Sequence, residues 1–329
     1  MKKMIGEEVQ YMYKLIVVFL YSFFVTLWSV PYVNEKLKKY KYVVEDKYKK
    51  SKKKIPTMGG IAILIGVLVS LALSQILLAR EDLGNLFIFY FIVIVYALYG
   101  VIDDLFSFKM RYDKIFALLI LTFPIASLVK DTELNLLFTH VEIGILYSLI
   151  VVPVYIMVVA NMVNLHAGYN GLTQGLSLIV LLTLGIKSYM DHGFANLIYL
   201  VPVLGAVIAF LPSTFVPAKL LPGNVGDFLV GSAIGGFIVV NQMLWFGGFI
   251  LIPHIINFIM DTVTILILRR KDVKFGKLRK DKTIIPPKTM RTKSLKFLIV
   301  HLFRLTEKQA VLALYSLTAV FCVVGLVLF

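Results

Sequence analysis

Apolar residues in this chain come in long blocks between short polar breaks, many of them about the 17 to 25 residues that an α-helix needs to cross a bilayer. The blocks fall near 12–31, 58–79, 85–102, 115–129, 143–161, 172–188, 194–212, 228–245, 248–268 and 309–329. Blocks four and six are short and suit tilted or partly interfacial helices. The pair meeting around Trp245 to Gly248 reads either as two spans or as one broken helix. The first block, Met12 to Val30, is too long for a secretory signal and lacks a small-residue cleavage site, which predicts a retained helix. No internal repeat is visible. The pattern predicts an all-α, polytopic membrane helical bundle of about ten transmembrane helices, one integral membrane domain over 1–329.

Composition agrees. Hydrophobic residues make up 59% of the chain and the mean hydropathy is +0.86, which excludes a soluble core. The one cysteine, Cys322, can form neither an internal disulfide nor a Cys/His metal cluster and reads as lipid-facing filler.

Charge orients the bundle. The connection from Tyr32 to Thr57 carries the lysine run Lys49 to Lys54, and the connection from Arg269 to Lys296 is equally basic, so both belong in the cytoplasm. Every odd-to-even connection then faces the cytoplasm, and both termini lie outside. The opposite loops, around Arg80 to Asp82, Lys130 to Glu133 and Lys187 to His192, balance their charges or lean acidic. The net charge of +15 is therefore largely topological. It calls for no nucleic acid, although it attracts anionic headgroups and nucleotide phosphates.

The unusual polar residues all fall in odd-to-even connections. Pro56 to Gly60 closes the first, Asp103 and Asp104 open the second, Asn161 to Gly171 fill the third, and Pro222 to Asp227 fill the fourth. Two adjacent acids at a membrane edge cost several kcal/mol unless a cation or hydrogen bonds meet them, so they read as a site before they read as helix-end anchors. Asn161 and Asn164 are three apart, so helical spacing puts both amides on one face. They can cap the helix, coordinate a hard cation or bind a nucleobase edge. Gly168, Asn170 and Gly171 permit a tight turn. His166 among them suits a phosphate or headgroup contact as well as a general base. Asp227 opens a span, where the helix dipole stabilises an acid even without function. Oxygen ligands from several loops are also what magnesium bound with substrate phosphates requires.

At these residues the sequence resembles a known family. The order Pro-Thr-Met-Gly-Gly, Asp-Asp, Asn-x-x-Asn-x-x-x-Gly-x-Asn-Gly-Leu and Pro-Ala-x-x-x-x-Gly-Asn-x-Gly is similar to the polyprenyl-phosphate N-acetylhexosamine-1-phosphate transferases, over about Asp46 to beyond Lys293. Ala167, where the peptidoglycan enzymes carry an aspartate, together with Gly276 to Leu278 and Thr292 to Leu295, resembles the dolichol branch. In two places the chain departs from the family. Gly223-Asn224 stands where Gly-Asp is usual, with Asp227 three residues on, and the last cytoplasmic loop has Arg269, Arg270 and Lys271 in place of a histidine-rich or Arg-His-Arg signature for the sugar.

The resemblance implies transfer of an N-acetylhexosamine-1-phosphate, GlcNAc-1-phosphate first among them, from a UDP-sugar to a polyprenyl or dolichyl phosphate with release of UMP. It implies magnesium, or manganese in its place, with Asn164 as a ligand and Asn224 or Asp227 in the family aspartate's role. Lys49, Arg111 and Lys114 are implied as phosphate contacts, and Gly168 and Asn170 as uracil contacts. Asp103 and Asp104 would orient or deprotonate the lipid phosphate, or hold the lysines. Other readings are a muramoyl-pentapeptide transferase step of wall synthesis, a secondary transporter and a lipid-binding scaffold. A transporter is disfavoured because the polar groups lie at one face and no repeat is seen. The expected setting is a prokaryotic, archaeal-type cell membrane with a cytoplasmic active site; a homodimer is left open.

Overall fold

A computed structural model describes residues 2–48, 54–78, 83–106, 111–126, 133–136, 139–269, 275–288 and 293–329. Twelve α-helices are described: α1 Lys2–Lys39, α2 Gly60–Leu77, α3 Leu83–Phe106, α4 Arg111–Ala126, α5 Val152–Leu165, α6 Leu172–His192, α7 Val201–Thr214, α8 Gly223–Val240, α9 Leu244–Ile250, α10 Ile252–Thr262, α11 Leu295–Leu302 and α12 Glu307–Leu328. A π-helical turn, Tyr147–Val151, leads into α5, a 3-10 turn, Ala195–Tyr199, leads into α7, and a second π turn, Val263–Ile267, ends α10.

Among the described residues seven helices are long and apolar enough to cross a membrane, and eight if α9 and α10, bent by 69°, form one broken span. The break sits at Leu251, where Pro253 in the first turn of α10 cannot donate a backbone hydrogen bond. The ambiguity near Trp245 resolves with it, because α8 ends at Val240 and α9 begins a separate element.

Two expectations about the connections change. The loop expected from Tyr32 is helical through Lys39: lysines are good helix formers, and Lys36, Lys38 and Lys39 in the last turn complement the helix dipole. At 38 residues, α1 is roughly 57 Å long and outreaches the hydrocarbon core. The bundle is also not wholly α. Short antiparallel hairpins form between β1 Val43–Glu45 and β2 Lys54–Pro56, β3 Glu133–Leu136 and β4 Thr139–Glu142, and β5 Lys277–Leu278 and β6 Ile284–Ile285, all outside the spans.

Helix α8 is the most enclosed span, packed against α3, α5, α2 and α6, whereas α1 and α12 are the most exposed. Its small residues explain the position. Gly231 and Gly235 lie against the backbones of Ala160 and Ile156 on α5, and no Cβ would fit at either without a shift. Without a hydrophobic drive between helices in lipid, such close approach supplies the packing energy. The ends of α2, α3, α5 and α8 are thereby fixed around one point.

Candidate active site

The first and fourth motifs meet backbone to backbone. Gly59 N donates to Leu221 O (2.8 Å), Gly60 N to Pro222 O (2.8 Å), and Leu221 N to Pro56 O (2.9 Å). A Cβ on Gly60 would overlap the backbone of Gly226, and one on Gly100 would press on Asn224 and Val225. Gly223 has φ +70°, and a Cβ there would stand 2.5 Å from Asp104 Oδ2 and 2.8 Å from Met58 N. The Pro-Thr-Met-Gly-Gly motif is thus a seat for the N-terminus of α8.

The aspartate pair divides its work because successive helix residues point about 100° apart. Asp104 turns to α8: its Oδ1 accepts from Asn224 N (3.1 Å) and its Oδ2 from Val225 N (3.3 Å). It caps α8 from another helix, meeting donors that no intrahelical carbonyl can reach. Asp103, 1% exposed, turns to a side chain and accepts from Asn224 Nδ2 at 2.8 Å. Asn224 Oδ1 in turn accepts from Asn164 Nδ2 at 3.2 Å. Asp103, Asn224 and Asn164, from the second, fourth and third connections, therefore form one chain of hydrogen bonds. Asp227, buried, faces α6 instead and accepts from Gln174 Nε2 at 3.1 Å.

The turn after α5 is held from several sides. Asn161 spends its amide on its own helix, donating to Met157 O at 2.9 Å. Gly168, at φ +133°, leaves room for the Lys296 ammonium, and Gly171, at φ +80°, starts α6. Asn170 N donates to Glu307 Oε1 (2.9 Å) and its Nδ2 to Asp46 Oδ2 (3.1 Å). His166 is 1% exposed and packs edge-to-face on His254, with ring centroids 4.7 Å apart. Among the described residues neither of its ring nitrogens has a hydrogen-bond partner. Burial first, then His254 and the Lys296 charge, hold its pKa well below the usual histidine value, so the ring stays neutral.

Residues 86–242, which contain Asp103, Asp104, Asn164, Asn224 and Asp227, match glycosyl transferase family 4. Over that stretch the chain is similar to glycosyl transferase family 4. Residues 52–64, which run into the start of α2, also match signature 1 of the phospho-N-acetylmuramoyl-pentapeptide-transferases. Over 320 residues the chain is 28% identical to a protein of Saccharolobus solfataricus named as a UDP-N-acetylglucosamine–dolichyl-phosphate N-acetylglucosaminephosphotransferase, covering 94% of this chain and 95% of that protein. A protein of Sulfolobus acidocaldarius with the same name is 28% identical over 327 residues, 93% of each chain. A phospho-N-acetylmuramoyl-pentapeptide-transferase of Streptococcus agalactiae is 26% identical over 253 residues, 72% of each.

The remaining expected site residues fall on other segments of the chain. Arg111 and Lys114 lie on the first turn of α4, while Lys49 and Arg270 fall outside the described residues. Arg269 is exposed after the π turn that ends α10, with φ +47°.

The donor set gathered at Asn224 suits a hard cation. It offers carboxylate and amide oxygens and no thiolate or imidazole. Among the described residues no three His, Cys, Asp or Glu side chains are grouped as a complete protein cage.

Several structural partners went unanticipated. Gln174, Asp46, Glu307 and Lys296 each hold a motif residue from outside its motif. A stripe of His254, Asn257 and Asp261 on α10 meets the third turn and the start of α11, with Asn257 Nδ2 donating to Leu165 O (3.3 Å) and Lys293 Nζ lying 3.2 Å from Asp261. Only this stripe left a trace in the sequence: three polar residues at i, i+3 and i+7 in an otherwise apolar helix.

Proposed function

We propose that the protein transfers an N-acetylhexosamine-1-phosphate, most simply GlcNAc-1-phosphate, from a UDP-sugar to a polyprenyl or dolichyl phosphate, making a lipid-linked sugar diphosphate and UMP. The observation that carries this reading is the convergence of Asp103, Asn164 and Asn224 from three connections beside the α2–α8 seat. The names of the two full-length archaeal relatives give the substrate class.

In this reading an oxygen of the lipid phosphate attacks the β-phosphorus of the UDP-sugar, the bond to the UMP oxygen breaks, and UMP leaves with the electron pair. The nucleophile is already anionic at neutral pH, so the protein's task is positioning and charge control. Asp103, Asn164 and Asn224 would hold magnesium, whose contribution when bound is to neutralise the diphosphate. Asn224 is preferred to Asp227 because Asp227 is tied to Gln174 on α6. Asp104 fixes α8 and so places Asn224. Gly168 and Asn170 would form the uracil turn, with Lys49, Arg111 and Lys114 as candidate phosphate contacts and Arg269 and Arg270 as candidate sugar contacts.

The proposed topology has ten crossings, adding α4 and the stretch 195–214 to the eight long or bent spans, with both termini outside and the site in the cytoplasm. Purified protein given UDP-GlcNAc, dolichyl phosphate and magnesium is expected to release UMP, to stop with a chelator, and to lose turnover on Asp103→Ala while remaining membrane-inserted. Absent or magnesium-independent turnover would sink the proposal. The match at 52–64 favours one competing substrate, a UDP-muramoyl-pentapeptide, which belongs in a parallel assay.

A further inference from the structure

Lys296 lies in the first turn of α11 and is 8% exposed. Its Nζ donates to Ala167 O at 2.7 Å, while its own carbonyl accepts from Tyr169 Oη at 2.9 Å. One residue thus grips the turn on both sides of Gly168. Gly168, at φ +133°, adopts a backbone that other residues rarely adopt, and a Cβ there would overlap the Lys296 ammonium. Left to itself, glycine is the least restricted residue in the chain, so a turn built on it needs outside contacts to hold one shape.

Those contacts continue along the turn. Glu307 and Asp46 hold Asn170, and Tyr315 Oη donates to Gly171 O at 2.6 Å. The start of α11 is anchored as well: Leu295 N donates to Asn257 Oδ1 at 3.1 Å, and Lys293 pairs with Asp261 on α10. Lys296 therefore connects a fixed point on α10 to the turn. Nothing in the four motif loops accounts for it.

We propose that Lys296 is a positioning residue that sets affinity for the UDP-sugar by holding the 167–171 turn in its binding shape. This rests on the reading of that turn as the uracil site. A preorganised turn avoids an ordering cost at each binding event, so its loss appears in substrate binding. The residue acts through the turn and needs no contact with phosphate.

The test uses the full-length protein. Lys296→Met keeps the buried stem and removes the ammonium, and Tyr169→Phe removes the second tie. Each is expected to raise KM for UDP-GlcNAc about tenfold with kcat within about threefold of the parent, and to leave KM for dolichyl phosphate unchanged. Uridine, which carries no phosphate, is expected to lose potency as a competitive inhibitor by the same factor. A merely structural role would lower the folded fraction and hence Vmax, leaving both KM values in place. That result, an unchanged KM, or a change confined to phosphate-bearing ligands would overturn the proposal. If the unsubstituted protein neither releases UMP nor binds uridine, the transferase reading itself fails, which separates the two outcomes.

Discussion

Asn224 is a neutral link between Asp103, to which it donates, and Asn164, from which it accepts. Asn224→Asp replaces the first bond by two facing carboxylates and is expected to cost about 1 to 3 kcal/mol when no divalent cation is present. The added charge also strengthens cation binding. Thermal unfolding in detergent should therefore show a lower midpoint than the parent in chelator and a larger upward shift on adding magnesium; equal shifts would remove Asn224 from the metal site. His166 gives the opposite kind of prediction. Its folded-state pKa is depressed, so as pH falls through about 6.5 the unfolded chain takes up a proton that the folded chain refuses. Stability is thus full above that pH and declines on acidification, by up to about 1.4 kcal/mol per pH unit for one proton. His166→Leu removes this dependence and two unpartnered buried nitrogens. Its melting midpoint is expected to match or exceed the parent at pH 7 and to fall less steeply toward pH 5.

At the scale of elements, α8 is the piece on which the site depends. Its N-terminus rests on the Gly59–Gly60 backbone and is capped by Asp104. Gly60→Ala places a methyl group into the backbone of Gly226, and overpacking of this kind costs about 1 to 3 kcal/mol. A lower thermal midpoint together with a fall in kcat is the expected result, because the helix that shifts carries Asn224; a shift in midpoint alone would argue that the seat is only structural. The presence of the helices was legible, since apolar length is nearly independent of context in a membrane. Their ends were not. The helical extension of α1 to Lys39 and the small hairpins arise where lysines and short polar stretches suit more than one local structure.

For the whole molecule, the basic connections predict sidedness. In a Cys322→Ser background, Lys47→Cys and Lys282→Cys, both at exposed positions, should react with a membrane-impermeant thiol reagent only from the cytoplasmic side. His192→Cys should react only from the opposite side, and labelling of all three from one side would overturn the ten-crossing arrangement. The sequence by itself determined a polytopic helical bundle, the four polar connections and the family pattern, because bilayer length, charge bias and turn-forming residues are local properties of the chain. Only the tertiary structure decided that Asp103 meets Asn224 while Asp104 caps α8, that Asp227 belongs to Gln174, and that Lys296 and Glu307 hold a turn more than a hundred residues earlier. Which of two neighbouring carboxylates faces which partner depends on helix rotation and glycine-permitted approach, and both are set by packing between segments far apart in sequence.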